Sequence, residues 1–308
     1  MGAVITGWGT ALPDKTITNH DLATRMDTSD EWIVERTGIH ERRVGGTTSG
    51  LAVDAGRQAI EKAGLAPGDI DLLILCTTTP DQTVPATSAV VQDRLGLTCG
   101  AMDLNAACSG FVYGLVAAHG FIGLGTKRVL VIGAETLSRI TDWDDRGTAI
   151  LFADGAGACV FEQTDGPGEL LSWDLGADGS AAGILYADVG AMIHMEGREV
   201  FRRAVRVMVD SGNKSMKAAG VTADQLALVV PHQANIRIIE SACAKLGIPM
   251  EKASVVLHRT GNTSSASIPL ALVDAIEKGR LHQGDLVLLV GFGAGMTVAS
   301  AVLRWGAR

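Results

Sequence analysis

A cysteine, a histidine and an asparagine, each set among small residues, are the groups in this chain whose types and contexts could do chemistry together. Cys108 lies in Asn105-Ala-Ala-Cys-Ser-Gly-Phe, and an apolar helical stretch over residues 111–124 follows it. A cysteine in the first turn of a helix meets free N–H groups and the positive end of the dipole. That predicts a lowered thiol pKa and a nucleophilic thiolate. His232, in Pro-His-Gln-Ala-Asn-Ile-Arg237, follows the apolar run 226–230, at the strand end where α/β sites form. Asn262 lies in the small polar turn His258-Arg-Thr-Gly-Asn-Thr-Ser-Ser. Taken singly, the histidine and the asparagine could each be satisfied loop residues.

The other cysteines read as structural. Cys76 ends a strand, Cys159 lies in an apolar run, Cys243 in a helical stretch and Cys99 in a turn. Gly291-Phe-Gly-Ala-Gly295 is followed by an alternating stretch (297–303) that predicts a strand. This is therefore a strand-turn-strand that can offer backbone N–H groups to an oxyanion, and not a dinucleotide loop, which needs a helix next. Asp154-Gly-Ala-Gly157 reads as a structural glycine turn. Arg198, Arg202 and Arg206 recur every fourth residue on a helix starting near Gly197, with Arg203 beside them. Such a face fits an acidic partner or phosphates, and equally a solvated surface.

The elements that must position these groups alternate apolar runs of strand length with amphipathic helices, which predicts an α/β fold with a largely parallel sheet covered by helices. Strands are expected at 70–76, 128–133, 226–230 and 286–290, with a helix over 85–95. The near-continuous apolar runs fit strands buried on both faces. GLAPGDIDLLILCT, from Gly64, resembles GVTADQLALVVPHQ, from Gly220, about half the chain later. Each copy leads into a helix, a small-residue segment, another helix and a strand. We read an internal duplication, with halves at 1–165 and 166–308. It matches His232 to Cys76 and the Asn262 segment to the Cys108 segment, and so brings Cys108, His232 and Asn262 to one interface.

Composition bounds the function. Hydrophobic residues at 47% and charged ones at 19% describe a globular chain. A net charge of -8 with only 4% aromatics argues against a nucleic-acid partner. Five cysteines without a C-x-x-C, and seven histidines without H-E-x-x-H, point to a reducing, cytoplasmic compartment with no metal site. No run approaches the ~20 apolar residues of a membrane span. Met1-Gly2 with Thr6 fits a myristoylation pattern, but Ala3-Val4-Ile5 reads as a buried first strand.

These motifs together resemble β-ketoacyl-acyl-carrier-protein synthase III. Cys108 in NAACSGF, His232 in PHQANIR and Asn262 in GNTS are similar to its Cys-His-Asn set. Residues 28–38 (TSDEWIVERTG), 145–148 (DRGT) and 152–157 (FADGAG) match as well, over nearly the whole chain. The resemblance implies a thiolase fold, two duplicated halves in a five-layer α-β-α-β-α arrangement, and a homodimer. It implies that Cys108 takes an acyl group from an acyl-CoA and that malonyl-acyl-carrier protein then loses CO2 and attacks it. His232 and Asn262 would stabilise the enolate. Backbone N–H groups of Cys108, Gly293 and Ala294 would hold the oxyanion. Trp32 and Arg146 would sandwich the CoA adenine, and Thr28 and Arg36 would contact the nucleotide. Gln233, Ala234, Asn235, Ile236 and Arg237 would form the carrier-protein region, joined by Arg202. No cofactor is implied beyond coenzyme A thioester as substrate.

The sequence departs from that family in two places. The stretch between Gly176 and Met195 is shorter than usual, which bears on the substrate tunnel. Val84 stands where some members carry a phenylalanine that closes the partner's acyl pocket, so the acyl pocket is expected to be roomier. Competing readings are a condensing enzyme of secondary metabolism with a different starter, and a cysteine thioesterase, which lacks an evident acid to orient His232. A biosynthetic thiolase would need a second cysteine near residues 291–295. A non-catalytic acyl-binding protein would not need the cysteine at all.

Overall fold

The structure is a computed structural model, and it describes residues 2–306. Met1 of the myristoylation pattern lies outside them. Gly2 itself is the first residue of a strand, and its N–H donates to Gly166 O.

In chain order, the first half contains β1 (Gly2–Ala11), β2 (Thr16–Thr18), α1 (Asn19–Ala23), α2 (Asp30–Thr37), β3 (Glu41–Arg43), α3 (Thr48–Lys62), β4 (Leu72–Cys76), α4 (Thr87–Leu95), β5 (Gly100–Leu104), α5 (Gly110–Gly123), β6 (Arg128–Thr136) and β7 (Asp154–Thr164). The second contains β8 (Leu170–Gly176), β9 (Leu185–Tyr186), β10 (His194–Met195), α6 (Gly197–Ala219), β11 (Leu226–Pro231), α7 (Ile236–Leu246), α8 (Leu257–Thr260), α9 (Ser267–Glu277), β12 (Leu286–Gly293) and β13 (Thr297–Arg304).

One sheet runs β1-β7-β6-β4-β5 and the other β11-β12-β13-β8. The duplication is visible in the registers. β4 pairs parallel with β6 as β11 pairs with β12, and β6–β7–β1 is antiparallel as β12–β13–β8 is. A parallel bridge from Val229 to Ala253 stands where β4 pairs with β5. The sheets are thus mixed rather than largely parallel. β12 and β13 are joined only by the short turn over 294–296, which forces them antiparallel, because a parallel partner needs a long crossover. Asp154–Gly157 is also not a turn but the start of β7, pressed against Thr263, Pro269 and Leu270.

Helices α5 and α9 are largely apolar because both faces are covered. Phe111, Val112, Leu115 and Ile122 of α5 and Ile268, Ala271, Leu272 and Ala275 of α9 share one core with residues of both sheets. Each large side chain buried there contributes about 2 kcal/mol. The outer helices have one apolar stripe each. In α6 it is Val200, Ala204, Met208, Ser211, Ser215 and Met216, facing β13, β12 and β8. Helices α3 and α4 cover the outer face of the first sheet. The layers are therefore α-β-α-β-α.

The ends of the described chain meet at a buried carboxylate. Glu169 accepts from Ile5 N (3.1 Å) and Gly306 N (2.7 Å), and burial raises its pKa to about 7. A carboxyl whose folded pKa lies above its unfolded 4.5 stabilises the fold fully below pH 4.5 and loses that contribution as pH rises through about 7. Thermal melting should therefore show a stability loss between pH 5 and 8 that is smaller in Glu169→Gln. An equal pH dependence in the two proteins would contradict this assignment.

Candidate active site

The nucleophile's loop and the asparagine's loop are built alike. Asn105 Oδ1 accepts from Ala107 N, and Asn262 Oδ1 accepts from Ser264 N. Ala107 and Ser264 both take positive φ (49° and 47°), and each opens a 3-10 turn that feeds α5 or α9. Cys108 and Ser265 thus occupy equivalent positions. Each loop is seated on a glycine of the other half. A Cβ on Gly293 would come 2.5 Å from Cys108 N, and one on Gly133 would come 2.3 Å from Ser265 O. Only glycine permits these approaches.

A cavity of about 800 Å³ is lined by Cys108, His232 and Asn262 together with Trp32, Arg36 and Arg146. The interface expected from the duplication therefore forms. Cys108 is 9% exposed at its floor. Its thiol is not lowered. Burial, with a further push from the Glu135 carboxylate, raises it to about 12 against the favourable contacts of the Ser264 hydroxyl and its own backbone. Desolvation outweighs the helix terminus here, so the thiol rests protonated. His232 lines the same cavity, and burial lowers its pKa to about 3 and leaves it neutral. Its Nδ1 meets Ser267 Oγ at 2.6 Å, its N–H donates to Val290 O, and its ring packs edge-on against Phe292. A hydroxyl can donate or accept, so either tautomer of the ring is supported.

Asn262 is held by the opposite half, with Asn262 N donating to Leu151 O and Ala153 N donating to Asn262 O. With its amide oxygen used by Ser264, the NH2 group remains to donate into the cavity. Thr297 Oγ1 donates to Ala106 O and ties the Cys108 loop to β13. Sequence reasoning missed Ser267 and Ser264. Serines at a helix start are common, and nothing in their spacing marks them.

At the cavity mouth α2 presents Trp32 and Arg36 on one face, with Arg36 Cζ 4.8 Å from the ring centroid. Arg146 lies 4.6 Å from the same ring, and its Nη1 donates to Asp27 O. That is cation–π contact, so the two close on each other with no layer between them. Thr28 is half-buried with its Oγ1 unpartnered, and it is not part of the cavity wall. A smaller cavity of about 350 Å³ on the other side of Cys108 is lined by Ala294, Ile140, Leu185, Tyr186, Ala187 and Ile193, among others, so the shortened stretch walls it. Val84, before a cis Pro85, is 83% exposed and lines neither cavity.

The carrier-protein region needs correction. Gln233 is fully buried, and its side chain donates to Pro231 O and Ser254 O and accepts from Val256 N and Leu257 N. It braces the chain and cannot meet a carrier. Asn235 caps α7 and donates to Arg36 O. Ala234 is buried on the cavity wall and Ile236 is half-buried, so only Arg237 of the five is exposed. Arg202 is held by Glu199 through two bonds (2.8 and 3.1 Å), which neutralises part of the expected basic face.

Residues 102–179 match the family described as 3-oxoacyl-[acyl-carrier-protein (ACP)] synthase III, and residues 216–305 match its C-terminal counterpart. A Bacillus anthracis protein named beta-ketoacyl-[acyl-carrier-protein] synthase III 1 is 50% identical over 99% of this chain and 100% of its own. The Listeria innocua protein named beta-ketoacyl-[acyl-carrier-protein] synthase III is likewise 50% identical, over 99% of this chain and 100% of its own. The chain belongs to the 3-oxoacyl-acyl-carrier-protein synthase III family. The crystal structure of 3-oxoacyl-[acyl-carrier-protein] synthase III from Aquifex aeolicus, 45% identical, superposes with a TM-score of 0.97 over 99% of this chain and 100% of that one. The five layers are accordingly the thiolase fold of that family, and the chain is a condensing acyltransferase.

Two outcomes follow. Iodoacetamide alkylation of Cys108 should keep accelerating above pH 9, because the thiol stays protonated; a plateau near pH 7 would contradict a raised thiol. Gln233→Ala strands four buried backbone groups and should cost about 3 kcal/mol of stability. Its KM for the carrier substrate, measured below the melting transition, should stay unchanged.

Proposed function

We propose that this enzyme condenses an acyl-CoA primer with malonyl-acyl-carrier protein, the first carbon–carbon bond of fatty-acid synthesis. The Cys108 thiol attacks the thioester carbonyl. The tetrahedral oxyanion is held by the N–H groups of Cys108 and Gly293, with Ala294 beside them. Collapse expels coenzyme A, whose sulfur takes the thiol's proton, relayed past neutral His232 without a lasting imidazolium. Malonyl-carrier protein then enters. Its C–CO2 bond breaks, the electron pair forms an enolate, and His232 and Asn262 donate to the thioester oxygen. The enolate carbon attacks the acyl-cysteine, releasing β-ketoacyl-carrier protein and a Cys108 thiolate that takes one proton from solvent.

The observation that carries this reading is the backing of His232. A hydroxyl, Ser267, stands where a hydrolase triad has a carboxylate. A neutral partner does not stabilise an imidazolium as Asp does, so the ring is better suited to donating than to holding a water proton. Asn262, with only its NH2 left, adds a second donor. Donors to an enolate or oxyanion are each worth about 10²–10³ in rate.

For the nucleotide of CoA, the reading needs Arg146 to swing off Trp32, since a base between them takes about 7 Å, two contacts of about 3.5 Å, and the two groups now stand 4.6 Å apart. Thr28 and Arg36 would then face the nucleotide. For the carrier protein it uses Arg237, which lies over Phe201, and Arg198 at the cavity mouth. A second copy of the chain belongs to the reading as well. β5 is an outer strand with one neighbour, and exposed Val84 is available to the partner's smaller cavity. Five free cysteines suit a reducing cytoplasm, and no helix among the described residues is long and apolar enough to cross a membrane.

His232→Ala and Asn262→Ala should each slow CO2 release from malonyl-carrier protein by about 10²–10³, while Asn262→Ala still acylates. Unimpaired CO2 release in both would overturn the assignment. With valine at position 84, branched butyryl-CoA should prime at least as well as acetyl-CoA. Strict acetyl preference would contradict a roomier acyl pocket.

A further inference from the structure

Behind the active site, on the opposite side of the Asn262 loop, lies a carboxylate that the mechanism does not use. Glu135 is the last residue but one of β6 and is fully buried. Its Oε2 accepts from Thr77 Oγ1 (3.1 Å), Thr78 N and Oγ1 (3.1 Å each) and Thr79 N (3.1 Å) and Oγ1 (2.5 Å). Its Oε1 accepts from Ser265 Oγ at 2.8 Å, and Ser265 N approaches to 3.5 Å. The donors are all neutral, so hydrogen bonds alone offset the loss of hydration. A charge kept dry this way holds its donors tightly, because releasing any one leaves part of it uncompensated.

Its place in the duplicated fold says what it holds. Gly291 and Gly293 of β12 receive Cys108, and Gly133 of β6 receives Ser265, the counterpart of Cys108. Glu135 stands two residues beyond Gly133, as Gly293 stands two beyond Gly291. Where one half offers an oxyanion-binding glycine, the other offers a carboxylate that captures the matching serine. Ser265 Oγ also lies 2.7 Å from Cys76 O, so its single proton is shared between that carbonyl and the Glu135 carboxylate, and the hydroxyl is held between them. Three residues earlier in the same loop is Asn262, and between them Ser264 lies beside the Cys108 thiol.

We propose that Glu135 is a positioning residue that sets the Asn262 loop against the nucleophile by clamping Ser265. It ties the end of β4, through Thr77–Thr79, to a loop of the other half at the seam where the enolate must form. This rests on the assignment of Asn262 as an enolate donor. It requires the decarboxylation half of the reaction to depend on Glu135 more than acyl transfer does, since acyl transfer uses Cys108, His232 and the Gly293 turn. Its negative charge also opposes ionisation of Cys108, which shares its cavity with neutral His232.

The test separates the half-reactions in Glu135→Gln and Ser265→Ala of the full chain, the second variant leaving the carboxylate in place. Acylation of the protein by acyl-CoA is followed by intact mass, and CO2 release from malonyl-carrier protein by the acylated enzyme is followed separately. Both variants should acylate within about threefold of wild type and release CO2 more slowly by about tenfold or more. In Glu135→Gln the pH profile of iodoacetamide alkylation should also move to lower pH, which a purely structural role would not cause. Equal slowing of both half-reactions, or slowing of neither, would overturn the clamp. Asn262→Ala, run alongside, keeps the two ideas apart. If it releases CO2 normally, the enolate assignment fails; if it is slow while Glu135→Gln is not, only the clamp fails.

Discussion

Two helix-start loops, each pressed onto a side-chain-free strand of the other half, are the contact on which this site depends. Cys108 reaches its place because Gly293 has no Cβ, and Ser265 reaches its own because Gly133 has none. The exchange is reciprocal, so neither half can shift without dislodging the other's loop. It also explains why the middle helices are so largely apolar. α5 and α9 start at those loops and run between the sheets, so only their far ends, at Phe121 and Glu277, reach water.

Symmetry in the backbone is broken in the side chains, and the break separates chemistry from scaffold. The strand end that offers His232 in one half offers Cys76, buried and inert, in the other. Glycine at 293 leaves backbone N–H groups for an oxyanion, whereas Glu135 fills the corresponding place with charge. The equivalent loop position carries Cys108 in one half, and in the other Ser265, whose hydroxyl is fully engaged. One pocket is thus equipped to react and its counterpart is packed shut. Burial raises the Cys108 thiol and lowers His232, so both rest neutral and charge develops only as bonds change.

Much of this was legible in the sequence. The apolar runs and their polar turns marked β4, β6, β11 and β12, and the likeness of the segments from Gly64 and Gly220 marked the duplication. The small residues around Cys108 and Asn262 marked loops that something approaches closely. Strand direction was not legible, since an apolar run reads the same in either orientation. The thiol shift ran opposite to the dipole argument, because depth of burial is a property of the assembled halves and not of a local motif. Gln233 looked available in a polar segment, but three of its four partners, Ser254, Val256 and Leu257, lie in a stretch that only folding brings to it. Glu135 and Ser267 carry no spacing signal, as their partners lie far off in the chain.

The central claim is that Cys108 holds an acyl group until a decarboxylated malonyl unit removes it, and intact-protein mass measured through one turnover tests it most directly. Mixed with acyl-CoA, the wild-type chain should gain one acyl mass that Cys108→Ala does not. Adding malonyl-carrier protein should return the protein to its starting mass and produce β-ketoacyl-carrier protein. An adduct lost equally fast in buffer, with free acid as the product, would contradict the account and make the enzyme a hydrolase.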